Sequence, residues 1–160
     1  MNKIYILIAM LIFGNLKAEI GLYTSDSDNI RPVSDMYSIL KDYIEKDGRQ
    51  DILYYVHGRK KDVEVEIKRM KNIEQIYHVK VVMLHWDSYD SLFIRPLENA
   101  RIAADSLHET FEAIKNAKND FNEYFDNHKI NVLAHSMGNV IMMYTAEKWY
   151  MGQKKSEPIF

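Results

Sequence analysis

Lys129-Ile130-Asn131-Val132-Leu133-Ala134-His135-Ser136-Met137-Gly138-Asn139 is the stretch whose reading decides the fold. A short apolar run of strand length stops abruptly at Ser136. Beyond it, Val140 to Trp149 takes up helical spacing. A small residue stands two before the serine and a glycine two after it. The pattern predicts a strand, a sharp turn with the serine on its corner, and a helix. Ala134 and Gly138 suit that turn because larger side chains would collide where the strand and helix backbones approach.

Working upstream, the same grammar repeats. Ile52-Leu53-Tyr54-Tyr55-Val56 is a continuous apolar run rich in aromatic and branched residues, which predicts a strand buried on both faces. It ends at His57-Gly58-Arg59-Lys60-Lys61. Val63, Ile67, Met70, Ile73 and Tyr77 then mark one face of a helix. A second strand, Val79 to His85, runs into Trp86-Asp87-Ser88-Tyr89. Residues 88–96 read as irregular, with Pro96 as a break. From Leu97 to Phe125 the spacing predicts one long helix with Ala100, Ala104, Leu107, Phe111, Ile114, Lys118, Phe121 and Phe125 along its stripe. Before the first of these strands, Val33, Met36, Tyr37, Leu40, Tyr43 and Ile44 give a packing helix that Gly48 stops. Residues 19–32 carry little pattern: Ile20 to Tyr23 suits a short edge strand and Thr24 to Asn29 a polar turn. Strand and helix therefore alternate, which predicts an α/β fold: three layers, with helices flanking a mainly parallel sheet. In such sheets sites gather at the carboxyl ends of the strands. Here those ends are His57-Gly58, His85-Trp86 and Ser136.

Composition narrows the function. The chain has 160 residues, 47% hydrophobic and 28% charged, with a formal net charge of -2. That is one ordinary globular domain and not a general polyanion binder, so nucleic acid is not an expected partner. The absence of cysteine removes disulfides, thiolate metal sites and a cysteine nucleophile. No histidine pair stands at metal-ligand spacing with a carboxylate, so neither a metal nor another cofactor is expected. At the N-terminus, Lys3 precedes ten apolar residues, Ile4 to Phe13, and small Ala18 follows. This has the form of an export signal cleaved near Ala18, leaving a periplasmic or secreted domain over residues 19–160. The alternatives are a short membrane anchor or a buried first strand. Arg59-Lys60-Lys61 reads as a solvated loop or as an attractor for anionic substrate. Met142, Met143 and Met151 read as core filler.

Val56-His57-Gly58, His85-Trp86-Asp87-Ser88 and Ala134-His135-Ser136-Met137-Gly138-Asn139 together resemble the α/β-hydrolase superfamily. The likeness is to a bacterial group with an His-Gly loop and an His-Ser-Met-Gly-Asn nucleophile elbow, and covers roughly residues 50–150. It implies a serine hydrolase of the esterase or lipase type, acting on small-molecule or lipid carboxylic esters by acyl transfer. By this resemblance Ser136 is the nucleophile. The N–H groups of Met137 and Arg59 form the oxyanion hole, and Gly58 lets the backbone pass close to substrate. Ala134, His135, Gly138 and His57 take structural roles in the elbow and its facing loop. His135 is badly placed as a base, because neighbouring strand residues point to opposite faces. His85 is a further candidate base, while His78, His108 and His128 read as surface or cap residues.

Two departures stand out. Ala134 replaces the usual glycine. More seriously, the fold's order of serine, then acid, then histidine is not met, since Glu147 and Glu157 are the only acids after Ser136 and no histidine follows it. The expectation is the N-terminal part of a hydrolase, shortened by an early stop or an incomplete reading frame. Its last strand would then lie beside Ile52 to Val56 with its other edge free. A non-catalytic binding or assembly module, self-associating through that edge, is the competing reading. A complete small hydrolase that borrows His85 as its base is a third.

Overall fold

The computed structural model describes residues 19–60, 62–89 and 95–156. The expected export signal and the segment 90–94 lie outside the described residues. A five-stranded sheet is built from β1 (Gly21–Thr24), β2 (Ser27–Arg31), β3 (Ile52–Val56), β4 (Lys80–His85) and β5 (Ile130–Ala134), in the order β2-β1-β4-β3-β5. β4, β3 and β5 run parallel, and β1 pairs antiparallel with both β4 and β2. The α/β architecture and mainly parallel sheet expected from strand–helix alternation are therefore present. β5 lies beside β3, and on its outer side no strand pairs with it among the described residues.

The helices are α1 (Met36–Lys46), α2 (Val63–Tyr77), α3 (Leu97–Asp120), α4 (Asn122–Asn127) and α5 (Gly138–Ser156). Side-chain alternation along β3 divides them between the two faces of the sheet. Ile52, Tyr54 and Val56 join Leu22, Val82 and Leu84 in the larger core, against Met36 and Leu40 of α1, Ala100 to Ala117 of α3, and Ile141 of α5. Tyr55 joins Tyr23, Val81 and Met83 on the other face, beneath Met70 of α2. That second face also holds Glu66, a fully buried carboxylate. Tyr55 Oη donates to its Oε2 at 2.7 Å, and one Arg69 nitrogen donates to both of its oxygens at 2.9 Å. Burial, with Glu66 alongside, pushes the Tyr55 phenol up to about 12. Hydrophobic periodicity gives no hint of a buried acid at that position.

Several local expectations need correction. The polar segment read as a turn is a hairpin: Thr24 pairs with Ser27 across Ser25-Asp26, and β2 follows as the sheet's outer strand. An edge strand needs no apolar face, so Ser27-Asp28-Asn29 hid it. The long helix is two helices, because Phe121 leaves helical geometry at φ -118°, ψ 42°. Tyr77 and the methionines Met143 and Met151 are exposed, the latter two at 58% and 57%. Only Met142 of the three methionines packs against the core. No helix among the described residues is long and apolar enough to cross a membrane.

Candidate active site

The corner after β5 is where the backbone departs from ordinary conformations. Ser136 has φ +52°, in the left-handed region that costs a non-glycine residue on the order of 1 kcal/mol. His78 is the other non-glycine residue with positive φ among the described residues, and it simply caps the end of α2. Ser136 has no such reason, since it precedes a helix. The conformation is held from both sides. The His135 N–H donates to Val56 O at 3.0 Å, carrying the β3–β5 ladder one residue past the strand. Its carbonyl accepts the Gly138 N–H at 2.9 Å, and the Ser136 carbonyl accepts the Asn139 N–H at 3.0 Å. Ser136 is left exposed at the corner. The Met137 N–H, ahead of the first turn of α5, has no acceptor among the described residues.

The loop after β3 lies directly on this corner. A Cβ on Gly58 would stand 2.8 Å from Ser136 Cβ and 2.9 Å from both His135 O and His135 Nδ1. A Cβ on Gly138 would stand 2.4 Å from Val56 O and 3.1 Å from His57 O. The glycine after the serine is thus required by β3 and its loop, not by the elbow's own strand. Ala134, by contrast, pairs with Val56 and packs its methyl against the larger core.

His57 fixes the loop from within. Its ring stacks with that of His85, at 5.4 Å, and with that of Trp86, at 5.9 Å. Its Nδ1 lies 2.7 Å from Gly58 O, and its Nε2 accepts the Trp86 N–H at 3.4 Å. Both contacts are satisfied by the neutral ring with the proton on Nδ1. Burial pushes the His57 pKa down to about 4, so the ring holds that form at neutral pH. Its carbonyl accepts the Trp86 indole N–H at 3.0 Å. His85, the candidate base, is also depressed by burial. Its ring lies edge-on to Tyr23 and against His57, and its buried Nδ1 has no partner among the described residues.

The site residues read from the sequence therefore divide. Ser136, Met137, His135 and Gly138 form the corner, and Gly58 lies against them with His57 behind it and Arg59 next in the same loop. His85 is half-buried on the rim, packed against Tyr23 and His57. His108 is less peripheral than expected, lying edge-on to Trp149 with a buried, unpartnered Nδ1. Ser88 was quoted only as part of a motif, yet it is buried and bonded to the β3 loop. No spacing rule marks such a residue, because the contact joins two loops far apart in sequence.

A family described as an alpha/beta hydrolase of unknown function (DUF900) matches residues 32–158. No curated protein and no solved structure matches the chain. The matched span takes in all three parallel strands, the His57-Gly58 loop and the Ser136 corner, and the chain belongs to this α/β-hydrolase family.

Proposed function

We propose that this chain carries the nucleophile and oxyanion arm of a serine hydrolase acting on carboxylic esters, with Ser136 as the attacking group. One observation carries the reading: an exposed serine held at positive φ on a strand–helix corner, with a glycine backbone pressed against it. In the reaction the Ser136 hydroxyl attacks the ester carbonyl. The Met137 N–H, and that of Arg59 from the facing loop, donate to the oxygen that becomes negative. Residues 137–160 contain neither Asp nor His, so the acid and base are no part of what is proposed for this chain. The neutral, hydrogen-bonded His57 is a support for the loop and not the base. Without a base the serine is a weak nucleophile, and turnover by the chain alone is expected to be slow. A fluorophosphonate probe is expected to label Ser136 in preference to the other serines, and the label is expected to vanish in Ser136→Ala. Labelling spread evenly over serines, or unchanged by Ser136→Ala, would sink the reading.

A second reading rests on the outer side of β5. Val132 and Leu133 are each 41% exposed, on opposite faces of the strand, and the strand's outer edge is unpaired among the described residues. On this reading the scaffold is an assembly module that pairs with another copy through the edge. Analytical ultracentrifugation over a wide concentration range tests it, and a folded chain that stays monomeric throughout excludes the homotypic form.

A further inference from the structure

The geometry points to Ser88 as a positioning residue that fixes the Gly58–Arg59 backbone against Ser136. This rests on the reading of Ser136 as nucleophile for its chemical meaning, though the geometric part stands apart from it.

Ser88 lies in the loop after β4 and is 3% exposed. Its Oγ accepts the Lys60 N–H at 3.0 Å and donates to Lys60 O at 3.0 Å. One hydroxyl thus engages both backbone groups of a single residue, 28 positions away in sequence. Few side chains can do this, because the atom must donate and accept at once. The other end of the same loop is pinned by Trp86, through its indole N–H to His57 O and its backbone N–H to His57 Nε2. Residues 58 and 59 are therefore strung between two anchors, at 57 and 60, and both anchors come from the β4 loop. That loop is itself tied to the start of α3, where Asn99 Nδ2 donates to Asp87 O at 3.0 Å.

The strap between the anchors is the segment that touches the corner. Gly58 lies too close to Ser136 and His135 to admit even a methyl group. A displacement of Lys60 moves the Gly58–Arg59 peptide relative to the serine, and a shift on the order of 1 Å at a reacting centre costs about a hundredfold in rate. Trp86 buries a large ring in the core, so its removal disrupts much else. Ser88 offers the loop position as a nearly separate variable.

The experiment compares the full chain with Ser88→Ala and Ser88→Cys, the second retaining the side chain's bulk with a poor hydrogen-bonding atom. Two readouts report geometry: amide exchange at Lys60, and the cross-relaxation between Gly58 Hα and Ser136 Hβ. A third reports chemistry, the fluorophosphonate labelling rate at Ser136. In both variants Lys60 exchange is expected to rise at least tenfold and the Gly58–Ser136 signal to weaken. Labelling is expected to slow by about tenfold to a hundredfold, measured under conditions in which each variant is fully folded. If Ser88→Ala does not fold, Ser88→Cys is read alone. Wild-type values of exchange and cross-relaxation in a folded variant overturn the proposal. So does wild-type labelling once both contacts are lost. A wild-type chain that never labels at Ser136 defeats the nucleophile reading instead, and the two geometric readouts then decide the role of Ser88.

Discussion

β3 and β5 are adjacent parallel strands of the same length, written in much the same alphabet: Ile52-Leu53-Tyr54-Tyr55-Val56 and Ile130-Asn131-Val132-Leu133-Ala134. Their environments are nearly opposite. All of β3 but Leu53 is buried, whereas nothing in β5 is. The difference lies in neighbours. β3 has a strand on each side and helices over both faces. β5 has β3 on one side, and α5 over the larger core face. An apolar run states what a strand can bury. The elements around it decide what it does bury.

The sharpest test of that contrast uses one side chain in both environments. Leu84, in β4 beside β3, is fully buried in the larger core, while Leu133 in β5 is 41% exposed. Leu84→Ala is expected to cost about 3 kcal/mol of folding free energy, the transfer and cavity terms of a buried leucine. Leu133→Ala is expected to cost less than about 1 kcal/mol. Urea denaturation measures both, and equal costs would mean that β5 is covered in solution.

Acid probes the interior side of the comparison next. His57 titrates near 6.5 when unfolded and at about 4 when folded, because burial disfavours the charged ring. The unfolded chain therefore takes up a proton first as pH falls. Stability is fully present above pH 6.5 and is lost as pH drops toward 4, by about 3 kcal/mol for this group. Other groups titrate in the same range, so the difference between wild type and His57→Gln isolates its share. A parallel pH dependence in the two proteins would show that the ring is not buried neutral.

These contrasts explain what could be read from the sequence. The three parallel strands, their order along the chain, the Ser136 corner and the His57-Gly58 loop were legible, because each is written in contiguous residues of strongly contrasting type. β2 was not, since an outer strand can open on a polar run, here Ser27-Asp28-Asn29, and Ile30 alone gives no period. The break at Phe121 was not, because the apolar stripe runs on across it while the backbone does not. Glu66 and Ser88 were hidden for another reason. Their roles come from partners across the fold, Tyr55 and Arg69 for the one and Lys60 for the other. Nothing local distinguishes a serine that clasps a remote backbone from a serine in solvent.

The smallest effects come where the two strands meet the corner, and there they separate two positions that read alike in sequence. Ala134 and Gly138 both looked small for the sake of the turn. Gly138→Ala forces a methyl toward Val56 O, to 2.4 Å, and that oxygen belongs to a strand buried at all but one of its residues. Either β3 or the start of α5 must yield, at an expected cost of about 2 kcal/mol. Ala134→Gly restores the residue usual at such corners, yet it removes a methyl that packs on the core and loosens a strand. It is expected to destabilise by about 0.5–1 kcal/mol. Denaturation of the two variants settles the matter by sign as well as size. If Ala134→Gly were stabilising, the turn itself would be what demands small residues. If it destabilises as expected, Gly138 alone is constrained, and the constraint comes from the buried strand rather than from the corner.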